Sequence, residues 1–324
     1  MITISSPSSF SGFDRTAVFS FTGSAADAGS AIDAVLEDAD TGQVIAARRL
    51  HLDAAATARF DTAPLLRRTM MLCPTAGATG LAAADDAMFR VRMRVGTTVT
   101  EPVRLLCTLP EWNALTCISV MPRQRTIRYG ESDRLMFFSL SDFTVRVETR
   151  TADGKTAETS YSWNGDGGLV VLRLRTGDFD PDTCSICVRI SGSTVAEYAV
   201  VPPEGSRMRI AWRSELGTVE HYTFPVVARR TAVGGTAAVT LAGGVCTVAG
   251  TAHDETVLKS HCEPAAVVDM LAAIARSPQV WAVDDETEEY VSVAVVTQQV
   301  VTRSFGEPSN VELTVRPSQN GVAL

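Results

Sequence analysis

The sequence predicts an all-β, multi-domain fold: two Ig-like or fibronectin-like β-sandwiches, followed by a β-rich domain with one main α-helix. Three observations predict it. Segments in which apolar and polar residues alternate recur along the chain, which is the period of a half-buried strand. Turn-forming residues separate many of these segments at roughly the 8–12-residue spacing of sandwiches. The chain of 324 residues is also longer than one ordinary core supports.

The first predicted domain covers residues 1–108. Its clearest strand is 88–95, where Phe89, Val91 and Met93 alternate with arginines. The Ala-, Gly- and Asp-rich stretch 75–87 is predicted to be a loop with at most one helical turn. Further strands are predicted at 17–21, 34–37, 43–48 and 102–107.

The second predicted domain covers residues 109–205. Its turn 164–168 is dense in Asn, Asp and Gly, and Pro202-Pro203-Glu204-Gly205 is the strongest linker signal in the chain. Strands are predicted at 142–150, 161–163, 169–175, 185–190 and 196–201.

The third predicted domain, 206–324, begins with the hairpin around which we expect the chain to be organised. Met208, Ile210 and Trp212 alternate with arginines and predict a strand with one buried face. Gly217 can supply the positive φ of the tight connection. The returning strand carries Tyr222 and Phe224, and Pro225 favours an edge or a strand end. We expect Trp212 to be buried where this domain meets the second, and Glu215 to be exposed at the tip.

One helix is predicted near 264–276. Pro264 suits a first turn, and Val267, Leu271 and Ile274 recur at helical spacing before Ser277-Pro278. Strands are predicted around it at 237–241, 245–248, 256–259, 279–283, 290–297 and 311–315.

Charge and composition argue against several function classes. The formal net charge of −8 disfavours a nucleic-acid partner. No apolar run approaches the roughly 20 residues of a membrane helix. The N-terminus lacks the pattern of a signal peptide. Seven cysteines, an odd number at wide spacing, favour free thiols in a reducing cytoplasm.

Two groups of Cys and His residues could bind a metal, but an ordinary structural role is favoured for both. Cys184 and Cys187 have redox or zinc spacing but start a strand, with no second such pair. Cys246, His253, His261 and Cys262 could converge on a metal only if the neighbours His261 and Cys262 turned the same way. We therefore predict no metal ligands among them.

Three acidic clusters are predicted to be solvated turns and not calcium sites. Asp38-x-Asp40-x-Gly42 begins like a calcium loop but has Arg49 at the twelfth position. Asp178, Asp180 and Asp182 are more typical of an acidic turn than of a calcium site. The run 284–289 is most simply the tip of a hairpin, although a basic partner could dock there.

No catalytic residue and no cofactor is predicted. The sequence contains no nucleophile elbow, P-loop, HExxH or dinucleotide fingerprint. A glycosidase carboxylate pair stays open, because such residues need not be close in sequence. The four tryptophans, Trp112, Trp163, Trp212 and Trp281, are more typical of core residues than of sugar platforms.

The pattern W-x-x-x-L-G-x-x-E-x-Y-x-F, from Trp212 to Phe224, resembles one found in tail-region structural proteins of phages and prophages of gut Bacteroidota. The helix followed by Ser277-Pro278-Gln279-Val280-Trp281 and the valine-rich strands after it are also similar. The resemblance covers residues 206–324 and implies a non-enzymatic virion or tail-particle protein, made in the host cytoplasm. Its expected partners are other particle proteins and further copies of itself. The alternative is a carbohydrate-binding or adhesion module that uses Trp163 or Trp112.

Overall fold

The computed structural model describes residues 2–13, 16–107, 115–165, 167–241, 244–284, 287, 289–297 and 309–318, with the backbone alone between 232 and 252. Its elements fall into three regions along the chain, residues 2–107, 115–201 and 207–318. The fold is all-β and multi-domain, as the sequence predicts.

The first region forms two sheets, in which strands distant in sequence pair with each other, such as β3 with β6 and β4 with β8. One sheet has the order β1-β3-β6, and the other has the order β2-β10-β8-β4-β5 with β9 beside β8. The elements are β1 Thr3–Ser5, β2 Ser11–Gly12, β3 Val18–Thr22, β4 Ala31–Asp38, β5 Val44–His51, β6 Thr57–Asp61, α1 Ala63–Thr69, β7 Gly80–Ala83, β8 Met88–Val95, β9 Thr98–Val99 and β10 Val103–Leu106.

The second region also forms two sheets, one of which borrows a strand. The orders are β11-β13-β16-β7 and β12-β18-β17-β14-β15. Strand β7 of the first region pairs with β16, so the first two regions share a sheet. The strands are β11 Leu115–Ile118, β12 Gln124–Arg128, β13 Ser132–Ser139, β14 Phe143–Thr151, β15 Thr156–Trp163, β16 Gly168–Arg175, β17 Thr183–Ile190 and β18 Ser193–Val201.

The third region is a closed barrel of order β19-β20-β21-β24-β23-β22. Helix α2 begins after Pro264 and continues as a 3₁₀ turn, Ala273–Arg276. The elements are β19 Arg207–Arg213, β20 Val219–Leu241, β21 Gly244–Lys259, α2 Ala265–Ala272, β22 Val280–Val283, β23 Tyr290–Val295 and β24 Glu312–Pro317.

Three apolar clusters hold these sheets together. The largest begins between the first two sheets and continues onto β13, β16 and the barrel, through Phe138, Val171 and Trp281. The second fills the space between the two sheets of the second region. The third packs α2 against the barrel around Trp212, Phe224 and Leu271. Because the first cluster runs through all three regions, we expect them to stabilise one another.

The opening hairpin forms, and Trp212 is buried as expected, but mainly in the core of the barrel and α2 instead of at the junction with the second region. Trp212 is only 1% exposed and belongs to the barrel cluster, with Met121 of the second region packed at its margin. Gly217 has φ +77, and Glu215 is exposed. The position of Pro225 was predicted wrongly, because it lies inside β20, opposite Arg207, and the strand continues well beyond it.

Other elements differ from the sequence expectation. The predicted loop 75–87 contains β7, which finds its partner in another region, and a 3₁₀ turn, Asp85–Ala87. A second helix, α1, was not predicted. The separate strands expected at 237–241, 245–248 and 256–259 are parts of one long hairpin, β20–β21.

Candidate functional site

A cluster of charged side chains lies buried between the second region and the barrel. We call it the junction cluster and define it as Arg125, Glu131, Asp133, Arg209, Glu220 and His221. Each of the six side chains is at most 5% exposed. Strands β12 and β13 and the turn between them supply the first three residues, and the opening hairpin supplies the others. Charges buried this deeply are stable only when they are paired with one another.

Asp133 is the centre of this cluster. Its carboxylate accepts hydrogen bonds from Tyr198 Oη at 2.8 Å and from Arg125 Nη1 at 3.2 Å. Burial acts to raise the pKa of the Asp133 carboxyl. The approach of His221 and the charges of nearby arginines outweigh burial and hold that pKa well below its usual range. Asp133 is therefore an anion that joins two sheets of the second region to the barrel.

His221 reaches Asp133 from the barrel side. Its Nδ1 lies 2.9 Å from Asp133 Oδ1, and this contact favours the Asp133 anion. Its Nε2 lies 2.9 Å from Tyr290 Oη. Burial lowers the pKa of His221 to about 4, although Asp133 acts to raise it. The imidazole is therefore neutral at pH 7, and with 0% side-chain exposure it is closed to a substrate.

Two further carboxylates complete the pairing. Glu131 accepts a hydrogen bond from Arg209 Nη1 at 3.0 Å, and Arg209 also donates to the Ser132 carbonyl. Glu220 accepts from Ser119 Oγ at 2.8 Å and from the Val120 amide at 3.0 Å. Burial raises the pKa of Glu220, although Arg125 acts to lower it. Every one of these contacts crosses from the second region to the barrel.

The barrel also makes hydrogen bonds to the first region. Gln279 Oε1 accepts a hydrogen bond from the Leu72 amide at 3.0 Å, and Gln279 Nε2 donates one to the Leu72 carbonyl at 3.1 Å. Arg213 donates to the Met70 carbonyl at 2.9 Å. The tip of the opening hairpin packs on the same surface, since a Cβ added to Gly217 would lie 2.4 Å from Cys107 Cβ. The barrel is thus fixed to both preceding regions.

A cleft of about 780 Å³ lies beside the junction cluster, between β12, β18 and the barrel. Tyr222 and Glu263 line its barrel wall and are hydrogen bonded to each other at 2.7 Å. Because the charged groups at its floor are paired internally, we assign no ligand to this cleft.

The β20–β21 hairpin continues beyond the strands that close the barrel. We define the arm as residues 231–254, the part of the β20–β21 hairpin beyond the barrel. Its two strands pair with each other from Thr231↔Asp254 to Leu241↔Gly244. Strand β19 pairs with β20 only up to Pro225, and β24 pairs with β21 only from Thr256 to Lys259. In the described part of the chain, both outer edges of the arm therefore lack a strand partner.

The arm is also unusual in sequence. From Thr231 to Ala252 the chain contains no charged residue and no proline, only Ala, Gly, Val, Thr, Leu and Cys. The segment thus lacks the charges and proline that usually guard open strand edges. Its glycines and threonines favour the prediction of several short strands, whereas the backbone pairing shows one continuous hairpin.

The residues considered as metal ligands do not come together. Within the described ranges, no group of three or more His, Cys, Asp or Glu side chains is placed to hold a metal ion. Cys184 and Cys187 both lie on β17, where Cys184 contacts the Arg150 carbonyl and Cys187 contacts Thr194. His261 and Cys262 are exposed after β21. The side chains of Cys246 and Trp112 lie outside the described residues.

Among the described residues, Cys73, Cys117, Cys184, Cys187 and Cys262 are free thiols. Cys117 is the one most affected by its surroundings, because burial raises its pKa to about 12. A thiol with so high a pKa is a poor nucleophile.

The acidic clusters are turns. Asp38 Oδ1 accepts hydrogen bonds from the amides of Asp40 and Thr41, and Gly42 has φ +73. Asp180 accepts from the Asp182 amide, and Asp178 accepts from the Thr79 amide of the first region. Asp284 and Glu289 close the β22–β23 hairpin, whose residues 285, 286 and 288 lie outside the described part.

Trp163 is the tryptophan closest to a binding role. It lines a cleft of about 480 Å³ with Asp38, Asp85 and Arg104. One side of its indole packs on the core of the second region, and a Cβ on Gly165 would lie 3.0 Å from the ring nitrogen. Both contacts reduce the ring face that a sugar could stack on. Trp212 and Trp281 are core residues.

Among the described residues, no helix is long and apolar enough to cross a membrane. Searches against protein-family models and curated proteins gave no match. Solved structures that align over the chain include E. coli alpha-2-macroglobulin, with 10% identity and a TM-score of 0.21 over 99% of this chain and 27% of that one. Domains 4–9 of the surface layer protein SbsC align with 10% identity and a TM-score of 0.17, over 99% and 44% of the two chains. The chain thus spans less than half of either structure, and neither similarity is high enough to define a common fold.

Proposed function

We propose that this protein is a non-enzymatic structural component of a phage or phage-tail-like particle, which assembles with further copies and with other particle proteins. The observation that carries the proposal is the arm. The protein would be made in the host cytoplasm and located in the particle.

The arm supports assembly because, in the part of the chain that the structure describes, its outer edges lack a strand partner. A two-stranded hairpin is marginally stable in water on its own, and open strand edges attract other strands. Proteins that stay monomeric usually guard such edges with charges or proline. The arm has neither between Thr231 and Ala252, so strand addition is favoured.

The junction supports the same function because it holds the base of the arm. The junction cluster ties the barrel to the second region, and Gln279 ties it to the first. An arm on a rigid base loses less conformational freedom when it binds, which favours tight association. The side chain of His221, which borders the cleft, is 0% exposed and contacts Asp133 and Tyr290.

The phage part of the proposal rests on the sequence resemblance. The pattern from Trp212 to Phe224 forms the β19–β20 hairpin, and the arm is the continuation of its second strand. The resembling residues are thus the base from which the arm projects.

The test is the mass of the purified protein with and without the arm. In the shortened variant, Asn-Gly replaces residues 232–253, so that a two-residue turn joins the paired residues Thr231 and Asp254. We expect the full chain to form species larger than a monomer in multi-angle light scattering, and rings or tubes in electron micrographs. The shortened variant should stay monomeric.

Glu215→Ala is the matched control, because Glu215 is exposed in a turn of the same barrel. It should assemble like the unaltered protein. A full chain that stays monomeric at every concentration would refute the proposal, and so would a shortened variant that assembles normally.

A further inference from the structure

We infer that the arm of one copy pairs with the outer edge of β15 in a second copy. This inference rests on the proposed function and names the surface that accepts the arm. The contact is head-to-tail, since the arm and β15 are different parts of the chain.

The acceptor must be an open sheet edge, and the barrel is closed. Closed barrels leave no edge for strand addition. Apart from the edges of the arm itself, the open edges among the described residues therefore belong to the sheets of the first two regions. Most of these edge strands are five residues long or shorter, and the two long ones, β5 and β15, have eight residues each.

Charge separates these two candidates. Strand β5 carries the exposed residues Arg48, Arg49 and His51, and exposed basic side chains on an edge are a known guard against strand addition. Strand β15 has a single charged residue, Glu158, which lies 3.7 Å from Arg146 on the neighbouring strand. Its residues 156–160 are all exposed.

The hydrogen-bond pattern shows which groups of β15 are open. The Thr151 amide donates to the Lys155 carbonyl, so the bonded pairs between β14 and β15 fall on every second residue from there. Residues 157, 159, 161 and 163 therefore point their backbone groups to β14. Residues 156, 158, 160 and 162 point theirs outward, where they form a row of open donors and acceptors.

The composition of the two strands also fits. Strand β15 reads TAETSYSW, and the arm contains five threonines among small apolar residues. Cross-strand pairs of Thr with Thr or Ser are favourable, and from Thr231 to Ala252 the arm carries no charge that could oppose Glu158.

Ser160→Pro tests the inference, because it removes one outward donor without breaking the ladder to β14. Proline is tolerated in an edge strand at such a position. Ser160→Ala is the control, since it removes the same side-chain oxygen and keeps the amide. Ser162→Pro is a second variant at another outward position. Circular dichroism and thermal unfolding of each variant establish that it folds.

We expect Ser160→Pro to stay monomeric and Ser160→Ala to assemble like the unaltered protein. A mixture of Ser160→Pro with the arm-shortened variant should form a dimer of twice the monomer mass and stop there. In that mixture one chain supplies only an arm and the other supplies only an acceptor.

If both proline variants assemble normally, the acceptor is elsewhere and the inference is wrong, while the proposed function stands. The absence of a dimer in the mixture would also contradict the inference. If the unaltered protein never assembles, the proposed function fails and the inference fails with it.

Discussion

Replacing the Asp133 carboxylate with an amide tests whether the junction cluster holds the barrel to the second region. Asp133 is 3% exposed, and Arg125 and Tyr198 both donate hydrogen bonds to it. In Asp133→Asn, Arg125 keeps one carboxylate nearby, that of Glu220 at 3.9 Å. Removing one partner of a buried ion pair costs about 3–5 kcal/mol, because the other charge stays buried without compensation.

Urea unfolding measures this loss as a lower free energy of unfolding. Asp153→Asn is the matched control, since Asp153 pairs with Lys155 at 2.6 Å on the surface, where water screens the charges. We expect the control to leave stability nearly unchanged. If Asp133→Asn unfolds at the same urea concentration as the control, the cluster does not hold the junction and the reasoning is wrong.

Three further predictions follow from the junction and the barrel. Trp212→Ala should cost about 3–5 kcal/mol in urea unfolding, because it leaves a cavity at a position only 1% exposed; an unchanged midpoint would contradict it. Gly217→Ala should destabilise more than Gly154→Ala in thermal unfolding: both have positive φ, but the new Cβ meets Cys107 at 2.4 Å only in the former. Since burial lowers the pKa of His221 from 6.5 to about 4, the unfolded chain takes up a proton first as the pH falls between these values. The contribution of His221 therefore lowers the free energy of unfolding as the pH falls. The raised pKa of Glu220 acts in the opposite direction. The stability difference between the unaltered protein and His221→Asn should therefore change between pH 6.5 and 4, and an equal pH dependence of the two would contradict it.

The sequence predicted the elements whose apolar pattern is local. Strand β8 has the predicted bounds, and helix α2 with its 3₁₀ extension ends at Arg276, as predicted. Gly217 could be assigned because a tight turn between two strands requires a positive φ. In each case the residues that decide the structure lie within a few positions of one another.

The junction cluster could not be predicted, because its members come from positions 125 to 221 and meet only in the fold. One signal was present. Ser132-Asp133-Arg134 opens a strand that continues with Leu135, Met136, Phe137 and Phe138, and charged residues at the start of so apolar a strand need buried partners. Sequence alone does not identify those partners.

The arm was missed for a different reason. Its glycines, among them Gly234, Gly235 and Gly250, are usually signs of a turn, and they divided one hairpin into short predicted strands. Strand β7 was missed because its four residues, Gly80 to Ala83, pair with a strand about 90 positions away. Pairing over such distances leaves no periodic signal in the sequence.

Hydrogen exchange of the arm tests the central claim most directly. The outward amides of residues 231–241 and 244–252 have no strand partner among the described residues. They should therefore exchange rapidly at a protein concentration where the monomer dominates. At a concentration where the protein assembles, the same peptides should become protected, together with the peptide that contains residues 156–163. Equal exchange of the arm at both concentrations would contradict the claim that it is the element through which this protein assembles.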